Sequence, residues 1–163
     1  MASTYTPIAT TTSTGSVNSI TFSSIPSTYT DLVLVFSGAF AANATLFMQL
    51  NSDTGTTYSD TVVYGNGSSA LSGRDTNYNQ MSCCWLSSGK TNQFVTTINL
   101  MNYANTTTYK SALIRTSESS AEVAALVGLW RSTSAVNTIK IFSNNGSNMV
   151  SGSIATLYGI KAA

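Results

Sequence analysis

The acidic side chains are the first candidates for chemistry in this sequence, because the chain contains no histidine. Without an imidazole, a serine or cysteine nucleophile has no usual base to take its proton near neutral pH. The remaining candidates are six isolated acids, which the pattern places mostly in turns or at strand ends, with no evident pair for glycoside cleavage. They are Asp31, Asp53, Asp60, Asp75, Glu118 and Glu122.

One tripeptide, Asp53-Thr54-Gly55, matches the aspartic-protease signature, in which two such carboxylates share a proton. The chain has a single copy, and polar residues rather than an apolar strand precede it. We therefore predict a turn in which the Asp53 side chain caps nearby amides and Gly55 takes a positive φ. Convergence of Asp53, Asp60 and Asp75 on a calcium ion is left open, although no ligand-dense loop appears. The prediction is a protein that is not an enzyme, with no cofactor and no metal site.

The only two cysteines, Cys83 and Cys84, are adjacent. Neighbouring residues of a strand point to opposite faces, so one thiol is predicted to be buried and the other to point outward. A strained vicinal disulfide is the alternative.

Aromatic and polar residues near segment ends are the candidates for binding. The chain has eight Tyr, six Phe and two Trp, and such side chains stack on sugar rings or on a partner subunit through broad apolar faces. The alternative is that most of them close the ends of the core. The predicted contact residues are Tyr64, Asn66, Arg74, Asp75, Tyr78, Tyr103, Trp130 and Arg131.

Composition narrows the function further. Charged residues make up 8% of the chain and the net charge is +1, whereas about a quarter of an ordinary globular protein is charged. Such a surface favours neither nucleic acid nor an anionic membrane. At 163 residues and 42% hydrophobic, the chain is predicted to fold as one domain over residues 1–163. Residues 1–5 lack the pattern of a signal peptide, and no apolar run is long enough to span a bilayer.

The elements that must position these residues are strands, because the dominant hydrophobic period is two. In the first half, strands are predicted at residues 20–22, 32–36, 46–50 and 61–64, with 32–36 central. Residues 65–79 are predicted to be a long loop that carries contacts or crosses between sheets. In the second half, strands are predicted at 81–85, 94–100, 109–116, 122–130, 139–141 and 154–160. The segment 122–130 has a helix as its alternative, and the Asn145-Gly146 turn predicts a hairpin into the last strand.

Eight to ten short strands, two prolines and no convincing long helix predict an all-β fold, a single-domain antiparallel β-sandwich of jelly-roll type. An immunoglobulin-like sandwich is the alternative, although the Cys-Trp-Cys spacing of that class is absent.

Six segments stand out when they are taken together. They are YTPIAT at 5–10, FSSIP at 22–26, YTDL at 29–32, MNYANTTTYK at 101–110, GLWRS at 128–132 and LYGIKAA at 157–163. As a set, they resemble a family of small virion structural proteins of tailed, notably aquatic, bacteriophages. The likeness covers nearly the whole chain and is specific as a set.

The resemblance implies a structural part of the virion and supplies no catalytic residues. A small domain without a repetitive shaft looks like a capsid decoration, or cement, protein that binds the major capsid protein as a homotrimer. The alternative is a receptor-binding module on a tail or head fibre, with host-surface glycan bound through tyrosines such as Tyr64 and Tyr78. A glycan hydrolase that uses two of the six acids is the third hypothesis.

Overall fold

Short β-forming runs separated by Ser, Asn and Gly turns build twelve strands in the part of the chain that the structure describes. The structure is a computed structural model that describes residues 4–85, 91–118 and 122–161. The prediction for residues 1–3 and the last two residues of the 157–163 segment lie outside this range. The strands are β1 (Tyr5–Thr12), β2 (Ser19–Phe22), β3 (Asp31–Gly38), β4 (Leu46–Leu50), β5 (Tyr58–Gly65), β6 (Ala70–Tyr78), β7 (Met81–Ser82), β8 (Phe94–Leu100), β9 (Lys110–Glu118), β10 (Val123–Trp130), β11 (Ile139–Ser143) and β12 (Ile154–Ile160).

Two antiparallel sheets form the sandwich. The larger has the order β1-β12-β3-β8-β9-β10-β5-β6, and the smaller has the order β2-β11-β4-β7. Eight strands remain when the pairs β5-β6 and β9-β10 are set aside. If these eight are renumbered 1 to 8 along the chain, the larger sheet has the order 1-8-3-6 and the smaller sheet the order 2-7-4-5. This alternation between two four-stranded sheets is the jelly roll, and the predicted fold is confirmed. The two additional strand pairs extend the larger sheet beyond β8.

The core lies between the sheets as one cluster of buried apolar side chains. Its aromatic centre is Phe36, Phe40 and Phe94, whose ring centroids lie 5.2 to 6.4 Å apart. The strand β8 shows the expected alternation, since Phe94, Thr96, Ile98 and Leu100 all point inward. In β10, the inward residues are Ala124, Leu126, Gly128 and Trp130, so the strand prediction for 122–130 is confirmed and its helix alternative is wrong.

Residues 65–79 are not the predicted long loop. Most of the segment is the strand β6, which pairs with β5 from Gly65↔Ala70 to Tyr58↔Tyr78. The connecting turn is short because the Asn66 side-chain oxygen accepts the backbone N–H groups of Ser68 and Ser69, at 3.1 and 2.8 Å. The segment lacks a run of β-branched residues, so pairing with β5 rather than intrinsic propensity makes it a strand.

The predicted hairpin at Asn145-Gly146 is also wrong. Gly146 does take a positive φ of 80°, but β11 belongs to the smaller sheet and β12 to the larger. The turn therefore begins a crossover between sheets. Period-two patterning fixes which residues of a strand share a face, but it does not indicate which sheet receives the next strand.

Candidate functional site

The outer surface of the extended sheet is unusually apolar. Residues directly opposite in neighbouring strands share a face, so the register of β8, β9, β10 and β5 places five exposed side chains on one side of the sheet. We call this set the apolar face. It consists of Val63, Val95, Leu113, Val123 and Val127, whose exposed fractions are 60, 43, 41, 60 and 57%.

Members of the apolar face are neighbours across strands, with Ser117 and Arg115 of β9 between some of them. Val127 lies opposite Leu113 of β9, and Val123 lies opposite Ser117, which in turn faces Val95 of β8. A shallow groove of about 620 Å³ runs between the ends of β5, β6 and β10, with Val63 and Val123 in its walls. Single exposed apolar residues are ordinary, but contiguous groups of them mark interaction surfaces.

Charge is distributed unequally between the two sides of this part of the sheet. Arg115 and Arg74 point outward, in register with Ala125 and Thr61 respectively, and both are exposed. The acids of β5, β6 and β9 fall on the alternate positions and point inward. Along these strands the charges on this side of the sheet are positive: Arg115 lies within the apolar face, between Leu113 and Ser117 of β9, and Arg74 lies at its edge on β6. The face is therefore complementary to a surface that is apolar and acidic.

A second feature lies on the inner side of the β5-β6 extension. There a cavity of about 220 Å³ opens between the extension and the end of the smaller sheet. Trp85 packs flat against Gly73 of β6, where an added Cβ would lie 2.9 Å from the indole Cζ2. Gly73 thus makes the room in which the indole sits. The cavity is lined by Thr45, Phe47, Tyr64, Asp75, Ser82, Cys84 and Trp85.

Two carboxyl groups lie opposite each other beside this cavity, and one of them, Asp75, lines it. Asp60 and Asp75 are directly opposite in β5 and β6, and Asp60 is 2% exposed. One Asp60 oxygen accepts the backbone N–H of Ser82 at 3.1 Å, whereas Oδ1 has no hydrogen-bond partner among the described residues. Burial, augmented by the charge of Asp75 and opposed by the bond from Ser82, raises the pKa of Asp60 to about 6. Burial also raises the pKa of Asp75.

The structure divides the predicted contact residues of the extension. Tyr64 is half-buried and lines the cavity together with Asp75, while Arg74 points to the opposite side of the sheet. Asn66 is used by its own turn. Tyr78 is 41% exposed, but it pairs with the far end of β5, six positions from Tyr64 and so about 20 Å along the strand. The two tyrosines do not form a common platform.

Two of the other predicted contact residues are part of the core. Tyr103 is fully buried and its hydroxyl donates to the carbonyl of Pro26. Trp130 is 2% exposed and stacks on Tyr58, with centroids 6.3 Å apart. As surface contacts, both predictions are wrong, because these rings close the ends of the sandwich.

Arg131, another of the predicted contact residues, is held by hydrogen bonds within the chain. Its guanidinium donates to the Thr56 carbonyl at 2.7 Å, to the Asn77 side-chain oxygen at 3.0 Å and to the Ser59 hydroxyl at 3.3 Å. These bonds tie the strand β5 and the loop before it to the end of β6, so Arg131 organises the base of the extension.

The Asp53 turn is structural. Its carboxylate accepts the Gly55 N–H at 2.8 Å, the Thr57 hydroxyl at 2.7 Å and the Trp130 Nε1–H at 2.7 Å. Partial burial raises the pKa of Asp53, but these hydrogen bonds outweigh that effect and leave it lowered. The predicted capping is confirmed. The predicted positive φ at Gly55 is wrong, since the left-handed residues nearby are Asn51 and Ser52.

The two thiols are both buried, so the prediction of one outward thiol is wrong. The strand β7 ends at Ser82, and the alternation expected for a strand does not extend to residues 83 and 84. The two cysteines are not joined in a vicinal disulfide, so that alternative is wrong. Burial, with smaller effects from Cys84 and Asp60, raises the pKa of the Cys83 thiol well above its usual value. These thiols are therefore poor nucleophiles.

No group of three or more metal-ligating side chains occurs within residues 4–85, 91–118 and 122–161. Asp53 is not grouped with the Asp60–Asp75 pair, so the three-aspartate calcium arrangement left open by the sequence is not formed. In the same residues, no helix is long and apolar enough to cross a bilayer.

Sequence reasoning missed three parts of these surfaces: the apolar face, Trp85 as a cavity wall, and Asp60 as a buried acid. A signal for the first was present, because residues 123–130 are apolar on both alternating faces. A strand of that composition is typical of one that is covered on both sides. The cavity could not be predicted, because it depends on the pairing of β6 with β5 and residues 65–79 were predicted to be a loop.

Comparison with known proteins gives little beyond a general likeness. No family model and no curated protein matches the chain. Among solved structures, galectin LEC-6 from Caenorhabditis elegans aligns with 12% identity and a TM-score of 0.38, over 86% of this chain and 93% of the galectin. An alginate lyase from Aplysia kurodai aligns with 8% identity and a TM-score of 0.35, over 85% and 72% of the two chains. At these values, neither likeness carries an inference about activity or ligand.

Proposed function

We propose that this chain is a non-enzymatic structural protein of a bacteriophage virion, a capsid decoration protein that binds the major capsid shell through its apolar face and stabilises it. The observation that carries the proposal is the set of five exposed apolar side chains on the extension of the larger sheet. The resemblance of several segments to virion proteins supplies the setting.

The chemistry of the apolar face favours a different protein as its partner over a second copy of this chain. A symmetric contact of this face with itself would bring Arg115 and Arg74 of the two copies towards their counterparts, and like charges that meet at an interface are unfavourable. The capsid surface on which the face sits would instead be apolar and would carry acidic residues opposite Arg115 and Arg74. The trimer contact then uses another part of the surface.

Substitution of the apolar face tests the shell contact. In V123D and V127D, a carboxylate replaces an apolar group at the proposed contact, and we expect binding to shells that lack the protein to weaken at least about tenfold, which corresponds to 1.4 kcal/mol. Because both side chains point outward, the midpoint of thermal unfolding should change little. The matched control is V17D, in the loop between β1 and β2, where Val17 is 38% exposed. Equal binding by V123D, V127D and V17D would refute the proposed contact.

The fibre alternative makes a separate prediction. A receptor-binding module should bind host polysaccharide on a glycan array as the isolated protein. The separation of Tyr64 from Tyr78 removes the tyrosine platform on which that alternative relied. Specific binding on the array, together with a location on the tail, would replace the decoration role.

A further inference from the structure

The cavity beneath the β5-β6 extension combines aromatic walls with buried negative charge. Phe47, Tyr64 and Trp85 contribute rings, and Asp75 contributes a carboxyl group. Aromatic rings attract cations through their negative faces, and the attraction is larger when the site is partly desolvated. Neutral polar ligands gain nothing from such faces beyond apolar contact.

The burial of the Asp60 carboxyl group also favours a cation as the ligand. Asp60 is held between Asp75 across the strand pair and Ser82 on β7, and both of those residues line the cavity. Its Oδ1 is buried without a hydrogen-bond partner among the described residues. A buried carboxylate that faces a second carboxylate is costly unless a positive group is nearby. Arg74, the residue before Asp75, points to the other side of the sheet.

The size of the cavity restricts the cation. A volume of about 220 Å³ is much larger than a bare metal ion requires, and the described lining supplies one carboxylate, from Asp75, whereas calcium takes roughly six to eight oxygen ligands. An alkylammonium group fits both halves of the site, because its ammonium can donate to the Asp75 carboxylate, with the buried charge of Asp60 behind it, while its carbon chain packs on the rings.

We propose that this cavity is a binding site for an alkylammonium group, with Asp75 as the carboxylate that contacts it, Asp60 as a buried acid behind Asp75, and Tyr64 and Trp85 as the rings that enclose it. A free amine and the side chain of a lysine on a partner protein present this same group. The proposal does not depend on the role of the apolar face or on a location in the virion.

The test uses n-butylammonium chloride as the probe and 1-butanol as its neutral counterpart, with the indole N–H resonance of Trp85 in the full-length protein as the readout. The W85F variant assigns that resonance. We expect a saturable shift with butylammonium and none with butanol. D75N should weaken the affinity at least about tenfold, whereas D31N, at an acid of β3 that lies five strands from β6 in the larger sheet, should not.

A shift that grows linearly with butylammonium, an equal response to butanol, or an unchanged dissociation constant in D75N would each overturn the proposal. The comparison between butylammonium and butanol needs only the unaltered protein, so it holds even if a variant fails to fold. A second comparison then distinguishes a free amine from a partner's lysine as the source of the alkylammonium group. It uses a peptide with a single lysine and the same peptide with norleucine in place of that lysine. Tighter binding than butylammonium indicates a partner's lysine, and binding no tighter indicates a free amine. Lys90 lies outside the described residues, and binding that appears only in K90A would also overturn the proposal.

Discussion

Replacing the buried Asp60 by asparagine should make the protein more stable at neutral pH. Asn keeps an oxygen that can accept the Ser82 N–H, but it removes a charge that is buried opposite Asp75. The interval between the ordinary pKa of 3.8 and the pKa of about 6 in the folded protein corresponds to about 3 kcal/mol. This figure is an upper bound for the gain in the free energy of unfolding, since asparagine must also satisfy its amide.

The stability difference between D60N and the unaltered protein should depend on pH. The pKa of Asp60 is higher in the folded than in the unfolded chain, so the folded state binds the proton more tightly, and stability due to this group falls as pH rises from about 4 to 6. The difference between D60N and the unaltered protein should therefore be small near pH 4, grow through this window and level off above it. Asp75 and Cys83 are the other titratable groups whose charges interact with Asp60, and both are present in each protein.

The assay is urea unfolding at a series of pH values, followed by circular dichroism, with D53N as the matched control. The hydrogen bonds to Asp53 lower its pKa in the folded protein. The Asp53 carboxylate therefore stabilises the folded protein above the pKa of Asp53 in the unfolded chain, and this stabilisation is lost as pH falls through its pKa in the folded protein. D53N should accordingly destabilise the protein at pH 7 and much less at low pH. A D60N protein whose stability difference does not change with pH, or that is less stable at pH 7, would refute the reasoning.

Three further predictions concern packing. G73A places a methyl group 2.9 Å from the Trp85 indole, so it should shift the Trp85 resonance and lower stability by about 1–3 kcal/mol; an unchanged spectrum would contradict the packing described. G128A should overlap Met81 and destabilise similarly, and the double variant G128A/M81A should show a favourable coupling energy in a double-mutant cycle of urea unfolding rather than simple addition. The two adjacent thiols should react with a thiol reagent only after denaturation, and rapid labelling of the folded protein would show that they are accessible.

The fold was predictable because alternation is a local property of sequence. Residues 94–100 and 122–130 carry inward apolar positions every second residue, and they form β8 and β10 where expected. The strand β6 was not predictable in the same way. Its sequence lacks a run of β-forming residues, and it becomes a strand because β5 offers it an edge and because Gly73 leaves room for Trp85.

The candidate sites were less predictable than the fold because they depend on tertiary burial. Trp130 and Tyr103 appear near segment ends in the sequence, where surface contacts are common, yet both rings are buried. Asp60 precedes the strand predicted at 61–64, and nothing in the sequence shows that β7 and Asp75 will enclose it. Nothing local distinguishes an acid that will be buried from one that will be solvated.

A reconstruction of the intact particle tests the central claim most directly. The account predicts many copies on the head lattice, with Val123 and Val127 of the apolar face against an apolar and acidic surface of the major capsid protein. A few copies confined to the tail, or head-bound copies whose apolar face points to solvent, would contradict it.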